Sequence, residues 1–278
     1  MRAGFILPGG PAPEQLQQAI LAEEHGWDGV FVWEAPFGVD AWTLLGAIAA
    51  HTSRIRLGTL LTPLPWRRPW KVASQVVTLD QLSRGRALLT VGLGAIATDL
   101  PTTGEATDLR TRSELLDEGI DLIRELWAGR QDHRGRHFLY RCGRDDLVEV
   151  GRPVQERIPI WVVAVWPRPK SMARALRCDG AVVQYQRADG GEGTPAEAGE
   201  VRAWLDAHGA PPDYDLIAQG ETPAENREAA VAIVKPWLEV GCTWWLESRW
   251  EMPHAGAERT AQVQDRLRAG PPLPRGGG

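Results

Sequence analysis

The fold is decided by residues 54–94, which are RIRLGTLLTPLPWRRPWKVASQVVTLDQLSRGRALLTVGLG. Ile55–Leu61 and Ala87–Val91 are short apolar runs of the kind that form buried parallel strands. Between them, Pro69 suits the first turn of a helix and Gly85 suits the position just after its end. The stretch therefore predicts one βαβ unit, whose crossover connection is nearly always right-handed.

The same alternation of strand and helix continues on both sides of this unit. Apolar runs predict six further strands, at Gly4–Leu7, Gly29–Trp33, Pro159–Val165, Ala181–Val183, Tyr214–Ala218 and Thr243–Leu246. A helical pattern follows each strand, and Asp40 is a candidate N-cap for the second helix. Eight such units within residues 1–269 predict a single-domain (βα)8 TIM barrel. An open, doubly wound sheet is the alternative.

Two segments depart from the repeating pattern. Arg130–Glu156 has no clear helical period, so we expect an inserted hairpin or loop between the fourth helix and the fifth strand. Gly270–Gly278 is rich in proline and glycine, and we expect this tail to be disordered.

Composition limits the possible partners and the compartment. A net charge of −5 without any basic run gives no reason to expect nucleic acid or an anionic membrane as a partner. The three cysteines form no C-x-x-C pair, which is typical of reduced thiols in a cytoplasmic protein. We expect no signal peptide and no membrane span. His133 and His137 lack the surroundings of a zinc site, so no metal is expected.

Active sites of TIM barrels lie at the C-terminal ends of the strands, which draws attention to Gly92–Ala97. This segment matches the G-x-G-x-x-A dinucleotide fingerprint, but it leads into a polar loop and not directly into a helix. Two interpretations remain open. The glycines either form a tight strand exit, or Gly92 and Gly94 let a flat ring or a phosphate approach the backbone.

Other strand ends supply candidate side chains for chemistry. Glu34, after the second strand, would be a proton donor if it were buried beside an apolar ring, and the alternative is an ion pair with an arginine or lysine. Four tryptophans near strand ends suggest an apolar or aromatic organic substrate; they are Trp33, Trp66, Trp166 and Trp250.

Further polar residues near strand ends complete the candidate substrate contacts. Arg67 would reach a cofactor phosphate or a substrate carboxylate. Gln184 and Tyr185 follow the sixth strand. Glu221 and Glu247 follow the seventh and eighth strands, where they would either orient a substrate or cap the next helix.

The fragments RIRLGT, RRPW, TLDQLSRGR and VGLG resemble the luciferase-like flavin-dependent oxidoreductases. That superfamily includes bacterial luciferase, reduced-FMN monooxygenases and deazaflavin-dependent dehydrogenases, and the resemblance extends over roughly Gly4–Trp250. It implies a barrel that binds reduced FMN or, alternatively, the deazaflavin coenzyme F420. It also implies a homodimer, a small organic substrate and, with FMN, a separate flavin reductase.

The resemblance also assigns residues to the cofactor. It implies a non-proline cis peptide between Leu60 and Leu61 beneath the central ring. The cofactor-binding set that it suggests comprises Thr59, Leu60, Leu61, Gly92, Gly94, Ala164, Val165 and Trp166.

The sequence departs from the family pattern at two strand ends. Deazaflavin members often have Asp-His after the second strand, where this chain has Glu34 and Ala35. Many relatives have Gly-Gly after the fifth strand, where this chain has Ala164 and Val165. These departures favour a monooxygenase over a dehydrogenase. They also leave open a barrel that has lost flavin binding and acts as a binding protein or as a cofactor-independent enzyme.

Overall fold

A computed structural model describes residues 1–95, 104–186, 193–250 and 256–274. Eight parallel strands close into a barrel, at Arg2–Leu7, Gly29–Val32, Arg56–Thr59, Ala87–Gly92, Ile160–Trp166, Gly180–Tyr185, Asp215–Gly220 and Trp244–Glu247. Each strand pairs with the next, and the eighth pairs with the first. The predicted (βα)8 barrel is confirmed, and the open sheet is excluded.

A helix follows each barrel strand, at Ala12–Glu24, Ala41–His51, Pro69–Ser83, Leu109–Trp127, Pro169–Leu176, Pro195–Ala207, Arg227–Glu239 and Ala257–Arg268. Asp40 caps the second helix as predicted, since its carboxylate accepts the Thr43 N–H at 2.7 Å. The fourth helix begins at Leu109, and Asp108 caps it by accepting the Thr111 N–H at 2.8 Å. In the part of the chain described, no helix has the length and apolar character needed to cross a membrane.

Three aromatic rings fill the lower part of the barrel. The ring centroids of Phe31 and Trp161 lie 5.5 Å apart, and those of Trp161 and Trp244 lie 5.2 Å apart. Glycines provide the space, because a Cβ at Gly4 would lie 2.7 Å from the Phe31 ring and one at Gly180 would lie 2.6 Å from the Trp161 ring. Trp161 and Trp244 are fully buried in the core, and inside the barrel the space left for a ligand lies toward the strand ends.

The third strand is interrupted, whereas the sequence predicted it to continue to Leu61. The peptide bond between Leu60 and Leu61 is cis, as the resemblance implied. Thr62 and Pro63 then resume parallel pairing with the fourth strand. The interruption places Leu61 at the mouth of the barrel, between two paired segments.

The insertion after the fourth helix is a hairpin, Asp132–Arg134 with Leu139–Arg141, followed by the short helix Asp145–Val150. Carboxylates of the fourth helix hold the hairpin. Glu118 accepts the backbone N–H groups of its turn, including that of Phe138 at 2.7 Å, and Glu125 contacts the His133 Nδ1 at 2.8 Å.

The start of the predicted disordered tail is packed against the barrel. Arg227 donates to the carbonyl oxygens of Pro271 and Leu273, both at 3.1 Å, and Leu273 contacts the core. The expectation of disorder is therefore wrong for residues 270–274. Residues 275–278 lie outside the described part of the chain.

The hairpin contact predicts a pH-dependent contribution to stability. Burial lowers the pKa of His133, but hydrogen bonds to Glu125 and Glu118 outweigh this effect and raise the pKa above its ordinary value of 6.5. The stabilisation is therefore fully present below that value and is lost as the pH rises through the raised pKa. We expect His133→Gln to lower the melting temperature at about pH 5, by roughly 2 °C for a contribution near 1 kcal/mol, and to have no effect at about pH 9.

Thermal unfolding followed by circular dichroism at both pH values tests this expectation. Glu125→Gln is the matched variant, because it should reduce the pH dependence of the His133→Gln effect. An equal decrease in melting temperature at both pH values would show that the imidazole acts through packing alone.

Candidate active site at the barrel mouth

Leu61 and Trp66 form an apolar shelf at the ends of the third and fourth strands. Both side chains are half-buried. A Cβ on Gly92 would lie 2.8 Å from Leu61 Cδ2, and one on Gly94 would lie 2.5 Å from Trp66 Cζ3. The two glycines thus make room for side chains of the protein. The close approach of a ring or phosphate to the backbone at Gly92 and Gly94 stays a prediction, and it would have to avoid the space that Leu61 and Trp66 occupy.

Arg112 holds Trp66 in place, a role that sequence analysis did not reveal. Its guanidinium carbon lies 5.3 Å from the centroid of the Trp66 ring, within the range of a cation–π contact. The same guanidinium donates to the Leu93 carbonyl at 2.7 Å and to the Gly94 carbonyl. The indole N–H donates to the Ala106 carbonyl at 3.3 Å. The shelf is therefore fixed before any ligand binds.

Thr59 and Leu60 support the shelf from behind and do not face the mouth. Thr59 is fully buried, and its hydroxyl oxygen accepts the Thr62 hydroxyl at 2.9 Å. Leu60 is 5% exposed and packs with the aromatic rings in the barrel interior. Of the predicted cofactor contacts on this strand, only Leu61 reaches the mouth.

Glu34 forms an ion pair with Arg67, which is the alternative to a free proton donor. The Glu34 side chain is only 7% exposed, and its second oxygen accepts the Trp42 indole N–H at 3.3 Å. Arg67 also donates to Gln75 at 2.8 Å, and burial lowers its pKa. Because both partners are occupied, the predicted contact of Arg67 with a phosphate or a substrate carboxylate does not agree with the structure.

The end of the fifth strand presents one predicted residue to the mouth. Ala164 is fully buried among the helices, and Trp166 packs against Trp204 with ring centroids 6.2 Å apart. Their predicted cofactor contacts are therefore wrong, because alternate residues of a strand point to opposite faces. Val165 lies between them on the inner face, and its N–H is bonded to the Ser171 hydroxyl at 2.9 Å.

Glu247 is fully buried and has a structural role that the sequence did not reveal. It accepts the backbone N–H of Thr222 at 2.8 Å and its hydroxyl at 2.7 Å, and Arg266 Nε lies 3.4 Å away. The predicted substrate contact of Glu247 is therefore wrong. Glu221 is exposed and lies 3.8 Å from Arg249, so it stays a candidate.

The remaining candidates are distributed around the mouth. Gln184 and Tyr185 line a cavity of about 180 Å³ beyond the sixth strand, together with Gln219, which the sequence did not single out. Trp33 is half-buried at the end of the second strand. Trp250 is 49% exposed and borders residues 251–255, which lie outside the described part of the chain, as do Ile96 and Ala97 of the glycine motif.

The shelf and the neighbouring helix N-terminus at the barrel mouth fit a flat cofactor that carries a phosphate. The shelf offers an apolar surface to one face of a ring, on the side of the mouth opposite the cavity. For a phosphate, the helix Pro169–Leu176 begins directly after the fifth strand without a side-chain cap, so N–H groups of its first turn are available. The exposed cations Arg168 and Lys170 flank that helix end.

Comparison with known proteins gives a family and several relatives. A family model for luciferase-like monooxygenases matches residues 2–274. A Mycobacterium tuberculosis protein whose name describes a coenzyme F420-dependent oxidoreductase is 29% identical in an alignment 248 residues long that covers 82% of this chain and 67% of that protein. The F420-dependent glucose-6-phosphate dehydrogenase of Nakamurella multipartita is 31% identical in an alignment 189 residues long that covers 64% of this chain. The match covers 54% of that dehydrogenase, about half its length.

Among solved structures, an F420-dependent secondary alcohol dehydrogenase in complex with an F420–acetone adduct superposes with a TM-score of 0.73. The alignment covers 96% of this chain and 98% of the other, at 16% identity. At that identity the likeness supports the fold alone.

The contrast between Glu247 and Glu221 predicts different costs of substitution. Glu247→Gln leaves the buried Arg266 guanidinium without its carboxylate, and we expect a loss of about 3 kcal/mol in the free energy of unfolding. Glu221→Gln removes an exposed carboxylate and should change it by less than about 0.5 kcal/mol. Urea denaturation of both variants measures the difference, and equal losses would contradict the structural role of Glu247.

Proposed function

This chain belongs to the luciferase-like monooxygenase family, and we propose that it is an oxidoreductase that uses coenzyme F420 on a small organic substrate. The observation that carries the proposal is the apolar shelf of half-buried Leu61 and Trp66 at the mouth, which would back one face of a flat ring. The names of both curated relatives support the deazaflavin over FMN. The expectation of an FMN monooxygenase remains the second candidate, because Ala35 leaves no imidazole after the second strand.

The residues of the mouth would position the cofactor and exclude water. Leu61 and Trp66 would cover one ring face, and the cation–π contact with Arg112 would hold the indole in its position against the ring. The N-terminus of Pro169–Leu176, with Arg168 and Lys170, would hold the phosphate. The bound deazaflavin would supply hydride transfer.

Glu34 is the group that we assign to proton transfer. In the oxidation of an alcohol, a carboxylate oxygen of Glu34 would accept the proton of the substrate hydroxyl. The Trp42 indole N–H and the Arg67 guanidinium fix the orientation of that carboxylate. Arg67 acts here as a positioning residue, since its guanidinium is taken up by Glu34 and Gln75.

The assembly and location are part of the same proposal. We expect a cytoplasmic homodimer, and a separate flavin reductase is needed only if FMN is the cofactor.

Titration with each cofactor tests the proposal. We expect saturable quenching of tryptophan fluorescence by F420, and Trp66→Phe should remove a large part of the quenching because the ring lies on that indole. Trp250→Phe, at an exposed indole away from the shelf, is the matched control. Saturation by reduced FMN alone would identify the monooxygenase, and binding of neither cofactor would identify a barrel that has lost flavin binding.

Steady-state kinetics of Glu34 variants test the proton transfer. We expect Glu34→Gln to lower kcat by about 100-fold, as is typical when a general base is removed, with little change in F420 affinity. Arg67→Gln breaks the same ion pair but retains the carboxylate, so its kcat should fall much less. Equal losses in the two variants would show that only the ion pair matters, and Glu34 would then be structural.

A further inference from the structure

The sixth and seventh strands separate toward the mouth of the barrel. Their ladder ends at the pair Ile217 and Val182, although the strands continue to Gly220 and Tyr185. On their other sides both remain paired to the end, the sixth strand with the fifth and the seventh with the eighth. The barrel wall is therefore split between these two strands over their last three residues.

A cavity of about 180 Å³ lies in this split, and we call it the inter-strand cavity. Its lining consists of Val183, Gln184, Tyr185, Gly193, Ile217, Ala218, Gln219 and Trp237. Polar and apolar groups contribute almost equally to its surface, and two carboxamides supply hydrogen-bond donors and acceptors. None of these described lining residues is charged. Apolar cavities of about 150 Å³ hold a molecule the size of benzene, so this one suits a compact ligand.

The position of the cavity relates it to the shelf. In the cyclic order of eight strands, the seventh strand is four places from the third, and it therefore lies on the opposite side of the mouth. A ring that rests on Leu61 and Trp66 would present its free face toward the split between the sixth and seventh strands. A substrate that reacts at that face would extend into the inter-strand cavity.

We propose that the inter-strand cavity is the substrate-recognition subsite and that it takes a compact, uncharged part of the substrate that carries a hydrogen-bonding group other than the hydroxyl that reacts, such as the second oxygen of a diol or a hydroxyketone. The assignment of this ligand as substrate rests on the proposed function. Gln184 and Gln219 recognise the polar group, because each carboxamide both donates and accepts. Ile217, Ala218 and Trp237 contact the hydrocarbon part.

The charges around the mouth argue against a sugar phosphate in this subsite. Phosphate recognition requires cations or several N–H donors directed at the ligand. Among the described arginines near the shelf and the cavity, Arg67 is paired with Glu34, Arg112 is bonded to main-chain carbonyls, and Arg249 donates to the Thr222 carbonyl at 3.0 Å. Arg168 donates to Gln186 at 2.9 Å and lies at the helix end assigned to the cofactor phosphate. None of the four lines the cavity, so glucose 6-phosphate does not fit this subsite, although the chain is similar to F420-dependent glucose-6-phosphate dehydrogenases.

Binding of cyclohexanol to the cofactor-free protein tests the proposal independently of the cofactor. Isothermal titration should show one saturable site in the wild type, and Gln184→Leu or Gln219→Leu should each weaken it about fivefold, the usual effect of one lost hydrogen bond. Gln186→Leu is the matched control. It makes the same chemical change on the same strand end, outside the cavity, where the side chain contacts Arg168, and it should leave binding unchanged.

Two further measurements complete the test. Ala218→Leu fills the cavity and should abolish cyclohexanol binding while thermal unfolding shows a folded protein. Glucose 6-phosphate should not displace cyclohexanol. Absence of binding to the wild type, equal effects of the three Gln→Leu variants, or displacement by glucose 6-phosphate would each overturn the proposal. Failure of the F420 titration alone would overturn the proposed function and leave the subsite standing.

Discussion

The three aromatic rings inside the barrel, Phe31, Trp161 and Trp244, determine where the barrel interior can hold a ligand. They fill the lower barrel because glycines on neighbouring strands have no side chain where the rings lie. Burial of such large apolar surfaces is a dominant favourable contribution to folding. Since these rings fill the lower interior, the space left inside the barrel lies toward the strand ends. There the wall is interrupted between Leu60 and Leu61 and is split beyond Ile217.

The positions of the strands followed from the sequence, but the direction of each side chain did not. Apolar runs and their flanking glycines and prolines located the eight strands within a few residues, because buried parallel strands need continuous apolar segments. An unbroken apolar run contains no information about which residues face inward. For that reason Ala164, Trp166 and Glu247 were placed at the mouth, whereas the register of the closed barrel turns them toward the helices.

Contacts between segments that are distant in the chain could not be predicted from the sequence either. Glu34 was recognised as either a proton donor or half of an ion pair, and only the folded chain brings Arg67 to it. Arg112 has no local feature that distinguishes it from the other arginines of its helix, yet it fixes Trp66 above Gly94. The cis bond between Leu60 and Leu61 was anticipated from family resemblance alone, because no property of two leucines indicates it.

The two sides of the mouth differ in a way that would orient both cofactor and substrate. On the third-strand side, side chains cover the glycines, and the surface is apolar and held by a cation. On the side of the sixth and seventh strands, the ladder opens and carboxamides replace apolar side chains. In the proposed complex, a flat ring would gain most by covering the first surface, and a polar group of the substrate would find carboxamide partners at the second. The asymmetry of the wall would then select one face of the ring for the reaction, although the barrel is built from eight repeated βα units.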